Sequence, residues 1–196
     1  MNRASALATR RVVCMFELVV PDASFYPSFA ESHREWGGAH QDGAGLLPED
    51  DITSPEGFDA WVRRLAGAER VAETGGGIVP CTYRWITEGR RYVGAIAFRH
   101  YLTPALLNSG GHIGYGVRPS DRGRGAASWA LLEVCAGLAA QGEPERVLLT
   151  CDDANAASAK TIERCGGLLE DVRMGGNGRY FRRYWIDVAR FEPGGL

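Results

Sequence analysis

Hydrophobic and polar positions follow two rhythms along this chain, and the first half changes rhythm several times. Residues 10–20 (RRVVCMFELVV) read as a first strand closed by Pro21. Over residues 23–36 the pattern is mixed, with Phe25, Phe29 and Trp36 on one helical face, and a glycine-rich loop follows over 37–48. Ser54-Pro55-Glu56 has the chemistry of a helix start, Ser at the N-cap and Pro at the first helical position. Phe58, Trp61, Val62 and Leu65 then recur at helical spacing as far as Ala66. Residues 82–87 and 91–99 are strand-like runs around Glu88-Gly89-Arg90, a hairpin signal, and 101–110 reads as a loop.

In the second half the alternation is cleaner. Ile113, Tyr115 and Val117 alternate with His112, Gly114 and Gly116, the period of a strand, which Pro119 and Asp121 end. From Gly125 the run AASWALLEVCAGLAAQG predicts a helix with Trp129, Leu132, Cys135, Ala136 and Ala139 on one face. Residues 146–151 (RVLLTC) read as a buried strand. The segment 152–155 (DDAN) supplies N-cap chemistry for a short helix through Cys165, stopped by Gly166-Gly167. Strands over 168–173 and 179–188 flank the turn Gly175-Gly176-Asn177-Gly178. Periodicity alone yields a mixed α and β chain.

Gly123 and Gly125 therefore sit where a helix begins. A helix start offers unpaired backbone N–H groups and the positive end of the dipole, and glycine lets the main chain come close to a phosphate. Arg122 and Arg124 add charge at the same spot. A dinucleotide-binding G-x-G-x-x-G is nearly present at Gly123, Gly125 and Ser128, with Asp152 ending the next strand where a ribose-binding acid would stand. Against it stand Ser128 in the third small position and the Arg118-Pro119-Ser120-Asp121-Arg122 segment between strand and first glycine. One β-α-β unit late in the chain is also too little for a doubly wound domain. A P-loop fails because no Gly-Lys-Ser/Thr follows.

At these residues the sequence resembles the GNAT superfamily of N-acetyltransferases, whose signature is Arg or Gln, two residues, Gly, one residue, then Gly or Ala. Arg122, Gly125 and Ala127 fill it. Asn155 and Gly166 have the eleven-residue spacing of a second motif, and Ser158 with Ala159-Lys160-Thr161-Ile162-Glu163 resembles the subgroup that includes ribosomal-protein N-terminal acetyltransferases. The resemblance implies acetyl coenzyme A as co-substrate and no metal. It implies that Tyr115, Gly116 and Val117 bond the pantetheine arm, and that Arg122, Gly123, Arg124, Gly125, Ala126 and Ala127 hold the pyrophosphate, with Asn155 and Ser158 as further contacts. The fold it implies is α+β: a central mixed, mostly antiparallel sheet of six or seven strands with a splayed parallel pair, flanked by about four helices. One acetyltransferase domain would span 1–196, its first ten or so residues a flexible arm.

Composition narrows the setting. With 196 residues and 45% hydrophobic content the chain can bury one substantial core. No run approaches the roughly 20 apolar residues of a membrane span, and MNRASALATR lacks the apolar stretch of a secretory signal. Five cysteines without C-x-x-C spacing fit reduced thiols, hence a cytoplasmic location. A net charge of -2 leaves no electrostatic footprint for nucleic acid, and a homodimer stays open. Lys160 is the one lysine among the 22 Lys and Arg, and with 26 glycines this looks like a GC-rich bacterial genome. A single arginine, Arg99 or Arg118 included, therefore carries little weight from sequence.

Acetyl transfer needs a neutral amine, a polarised thioester carbonyl and a proton for the leaving thiolate. His112 stands where the resembling subgroup often has Glu, in E-I-G-Y-x-V, assigned there as the base. An imidazole with an ordinary pKa of about 6.5 keeps that capacity, the alternative being a structural histidine; His100 is a weaker candidate. The tyrosine that many members place seven residues after the Asn is Ile162 here. Ser158 is its substitute by resemblance, the alternative being a cap or cofactor contact, with Cys165, Tyr184 and water as remoter donors. The acceptor site in this fold is walled by the first two helices and the last hairpin. There Glu31, Glu35, Asp50 and Asp51 could attract a cationic amine, and Phe25, Tyr26, Trp36, Trp61, Tyr180 and Trp185 could shape a pocket or belong to the core. The expectation is an N-acetyltransferase acting on a primary amine of a small molecule by direct attack in a ternary complex. A protein or peptide N-terminus is the second acceptor, and a non-catalytic coenzyme-A-binding regulator the other class.

Overall fold

The hairpin of β2 (Cys81–Glu88) and β3 (Arg91–Arg99) is the centre on which the sheet grows. The computed structural model describes residues 15–70, 79–142, 144–176 and 178–191. β1 (Glu17–Val19) adds outside β2, and β4 (Ile113–Val117) lies antiparallel to β3. β5 (Arg146–Asp152) follows β4, and the closing hairpin of β6 (Leu168–Met174) and β7 (Tyr180–Asp187) joins through β7. The order is β1-β2-β3-β4-β5-β7-β6, seven strands antiparallel throughout except β4 beside β5. This is the mostly antiparallel, GNAT-like sheet with one parallel pair that the sequence resemblance implied.

Helices cover both faces. α1 (Tyr26–Trp36) and α2 (Pro55–Gly67) bury Phe29, Phe58, Trp61, Val62 and Leu65 against Trp85, Tyr92 and Ala95. Ser54 caps α2 as its sequence predicts, its Oγ accepting from the Gly57 N–H at 3.1 Å. On the other face α4 (Ala126–Gln141) and α5 (Ala156–Arg164) close a second core over Ile96, Ile113, Val147 and Leu149.

The structure changes three expectations. Five α-helices are present among the described residues rather than about four, because α3 (Pro104–Asn108) forms inside the expected loop. Thr103 and Pro104 start it, but five residues are too few to show a period. The buried stripe of α4 is Ala126, Ala130, Leu131, Cys135 and Leu138; Leu132 and Ala136 of the expected face are exposed. That helix is apolar nearly all round, so spacing does not choose a face, and Ala126 and Ala130 let it sit close to the sheet. Finally, the first strand covers Glu17–Val19; residues 10–14 of the expected strand, the expected arm and Cys14 lie outside the described residues. Cys81, Cys135, Cys151 and Cys165 are free and buried.

Candidate active site

β4 and β5 run together at one end only. The His112 N–H donates to the Leu148 carbonyl at 2.7 Å, and Ile113 stands opposite Leu149. Ile113 is the last β4 residue with a β5 partner, and the strands part from there toward Val117. The opening runs along a five-residue strand, roughly 16 Å at the usual strand rise, from its apex near Ile113 to the turn before α4.

At the wide end the main chain is bare. Gly123 and Gly125 have φ of 77° and 84°, and Gly125 is the N-cap of α4 with no side chain closing it. A Cβ at either glycine would meet no atom within 4 Å, so space lies open over the first amides of the helix, at Ala126 and Ala127. The neighbouring arginines are engaged elsewhere. Arg124 donates to Asp121 at 2.7 Å and Glu88 at 3.0 Å. Arg122 lies over the Trp36 ring at 4.9 Å and donates to the Val117 carbonyl. Arg118 is buried and holds Glu35 at 2.7 Å and Glu31 at 3.3 Å. The Arg118 hydrogen bond keeps the Glu35 carboxyl down at about 2.

The second motif closes the opposite wall. Asn155 caps α5, its Oδ1 accepting from the Ser158 N–H at 3.0 Å. The Ser158 hydroxyl lies 2.9 Å from the Tyr115 hydroxyl, so a side chain from β4 and one from α5 meet across the opening. Burial holds the Tyr115 phenol well above the ordinary tyrosine range. Ile162 is fully buried in the core, where a tyrosine hydroxyl would have no place. The remoter donors are occupied: the Tyr184 hydroxyl donates to Glu163 at 3.0 Å, and Cys165, its thiol raised by burial, donates to the Ser128 carbonyl.

His112 stands at the apex, 7% exposed. Its Nδ1 accepts the Leu148 N–H at 2.9 Å, which in the neutral ring leaves the hydrogen on Nε2. Burial first, and the Arg99 charge second, press its pKa from 6.5 to about 4. His100 is exposed and turned to Thr82 at 2.9 Å, in a groove beside α4 shared with Arg84, Phe98 and Val134. The four acidic residues expected to face an amine are all engaged. Glu31 and Glu35 hold Arg118, Asp50 pairs with Arg64, and Asp51 accepts from Thr53 and Ser54. Of the aromatics, Trp61 is core, Tyr180 is exposed, and Trp185 sits edge-on to His112 at 6.2 Å.

Sequence reading missed what the glycine-rich loop does. It lies against the α1 side of β4 so closely that a Cβ on Gly43 would be 2.6 Å from the Gly114 carbonyl, and one on Gly116 2.7 Å from the Asp42 carbonyl. Glycines facing glycines across two segments were the available signal.

The sequence pattern of the acetyltransferase (GNAT) domain matches residues 31–167, which include β4, the glycine turn, β5 and α5. The chain belongs to the GNAT acetyltransferase family. It is thus an acyltransferase that uses acetyl coenzyme A. Solved structures share the fold. An acetyltransferase from Salmonella typhimurium that modifies the N-terminal serine of ribosomal protein L7/L12 has a TM-score of 0.62 at 19% identity, over 88% of this chain and 95% of that one. The microcin C7 self-immunity acetyltransferase MccE, in complex with acetyl-CoA and AMP, has a TM-score of 0.66 at 15% identity, over 88% and 92%. The ribosomal-protein-S5-alanine acetyltransferase of Vibrio fischeri has 0.64 at 14%, over 92% and 97%. No curated protein is a significant sequence match.

Proposed function

We propose that this GNAT enzyme is a cytoplasmic N-acetyltransferase that moves acetyl from acetyl coenzyme A to a primary amine of a small molecule, by direct attack in a ternary complex within one domain spanning the chain. The observation that carries the reading is the parted β4–β5 pair, with bare amides at Gly125 at one end and the Tyr115–Ser158 hydroxyl pair along it. The amides from Arg122 to Ala127 take the pyrophosphate, and the free edge of Tyr115, Gly116 and Val117 takes the pantetheine amides. Asn155 contributes by fixing the α5 start that presents Ser158.

The amine nitrogen forms its bond to the thioester carbon as the carbon–sulfur bond breaks. Ser158 gives its hydroxyl proton to the thiolate, and Tyr115, neutral at any working pH, holds the Ser158 oxygen in place. The amine's surplus proton leaves to water, which also restores the Ser158 hydroxyl. For His112 the geometry favours positioning over the base role. The lone pair of Nδ1 is occupied by Leu148, and a ring with a pKa of about 4 is a weak acceptor at neutral pH. A peptide N-terminus is the second acceptor, supported by the Asn155–Ser158 resemblance to the ribosomal-protein subgroup. Thiol release from acetyl coenzyme A over a panel of small amines and N-terminal peptides tests the reading. Turnover of small amines supports it, peptide-only turnover replaces the acceptor, and coenzyme A binding without turnover of either makes the chain a regulator.

A further inference from the structure

Arg99 is the one half-buried cation near the apex whose charge no carboxylate meets among the described residues. Its Nη1 donates to the carbonyls of Gly110 and Gly111 at 3.3 and 3.2 Å, which orients the guanidinium. Its Nε and Nη2, the edge that grips a carboxylate with two parallel bonds, have no acceptor among the described residues. Arg183, which is 2% exposed, shows the contrast: it is met by Asp171, Glu170 and the Leu107 carbonyl.

The place of Arg99 matters as much as its missing partner. A Cβ on Gly114 would lie 3.8 and 3.9 Å from the two terminal guanidinium nitrogens and 3.5 Å from the Gly43 N–H. The guanidinium therefore stands over the bare backbone of β4 one residue past the apex, on the α1 side, where the glycine-rich loop leaves only main chain. In the cofactor placement proposed above, with the phosphates at Gly125 and the pantetheine arm along β4, the thioester would reach toward this point. An acceptor amine must come within bonding distance of that carbonyl carbon, and so within a few ångströms of the Arg99 charge. Glu31, Glu35, Asp50 and Asp51 are all engaged, so nothing among them offsets it.

We propose that Arg99 binds a carboxylate carried by the acceptor, so that the substrates are amines bearing an acidic group close to the reacting nitrogen, and polyamines and other purely cationic amines are poor acceptors. The charge has a second effect in the same direction. A guanidinium beside an ammonium ion favours loss of the ammonium proton, and the nucleophile must be the neutral amine. This inference rests on the N-acetyltransferase reading. The carboxylate comes from one of two sources, the α-carboxylate of a free amino acid or an acidic side chain near a peptide N-terminus.

The test compares free L-amino acids, the same amino acids as carboxamides, short peptides with an acidic second residue, and spermidine, with wild type, Arg99→Lys and Arg99→Gln. Wild type should prefer carboxylate-bearing acceptors to their carboxamides. Arg99→Gln should raise KM for them roughly ten- to a hundredfold, the range for losing a charged hydrogen bond, and Arg99→Lys should recover part of it. The Kd for coenzyme A should not move in either variant, which also shows that the variants are folded, and the carboxamides, which lack the group Arg99 holds, should change far less than the carboxylates. Preference for free amino acids or for acidic peptides identifies the source. Equal loss on carboxylates and carboxamides, or spermidine as the best acceptor, overturns the inference and leaves the acetyltransferase standing. If wild type binds coenzyme A but acetylates no amine, both fall.

Discussion

The Tyr115 phenol oxygen stands 2.9 Å from Ser158 Oγ, joining β4 to the first turn of α5 across the gap between β4 and β5. General acid assistance is typically worth 10²–10⁴ in rate, and a thiolate, being a good leaving group, belongs at the low end. Ser158→Ala should therefore slow single-turnover acetyl transfer by about a hundredfold. A thioester with a more acidic thiol should recover most of that loss. A raised KM without recovery would make Ser158 a binding contact only. Tyr115→Phe, which removes the hydroxyl but keeps the ring, should give a smaller loss of the same kind.

Cofactor affinity should follow backbone shape more than arginine charge. Gly125→Val forces a branched residue to φ of 84°, strained even though the space beyond is open, and should weaken coenzyme A binding by more than tenfold, about 1.4 kcal/mol or more. Arg124→Gln should change the affinity by only a few-fold, because that guanidinium already serves Asp121 and Glu88. Arg118→Ala should lower stability by about 2 kcal/mol through loss of its bonds to Glu35, with little direct effect on the cofactor. Calorimetric titration and denaturant unfolding separate these outcomes. Equal losses of affinity in all three would mark a charge-driven site.

His112 and Glu35 give the fold a two-stage dependence on acid. Folding holds the His112 pKa below its ordinary value, so the unfolded chain binds the proton first and stability falls as pH drops from 6.5 toward 4. Glu35 is held at about 2, so its contribution is complete above 4.5 and is lost as pH falls from there toward 2. Unfolding free energy measured against pH should show both stages. His112→Asn, whose amide oxygen can take over from Nδ1 as acceptor, should abolish the upper stage while staying more stable than His112→Ala, which leaves the buried Leu148 N–H unpaired at a cost of about 1–3 kcal/mol. If His112→Asn instead keeps full stability but loses most of its turnover near neutral pH, the ring is the base after all.

Much of this was legible in the chain. The alternation through Ile113, Tyr115 and Val117, the glycines at 123 and 125, and the Asn155 cap each depend on neighbours in sequence, and each lies where the pattern puts it. Features made by distant segments were not legible. No local signal ties Tyr115 to Ser158, forty-three residues on, or brings Gly43 against Gly114. The arginine-rich composition also hid Arg99: what sets it apart from the other described arginines is being half-buried with no carboxylate to meet it, and both are properties of the fold. The same holds for Glu31 and Glu35, which as sequence resemble acids free to attract an amine but are the counter-ions of a buried Arg118.

The glycine-rich loop packs backbone to backbone on β4. Gly43→Ala puts a methyl 2.6 Å from the Gly114 carbonyl at φ of 78°, so the loop must lift from the strand. Acceptor KM should rise several-fold while coenzyme A affinity, set on the far side of the opening, stays close to wild type. A parallel loss of both would mean that the loop supports β4 as a whole.

Acetyl transfer at the parted strands is measured most directly as amine-dependent thiol release, with the acceptor product followed by mass spectrometry. The expected result is one thiol released per acetyl group gained by a primary amine, with single-turnover transfer slowed in Ser158→Ala and coenzyme A affinity lost in Gly125→Val. Thiol release that ignores the amine, or full transfer in Gly125→Val with unchanged affinity, would contradict it.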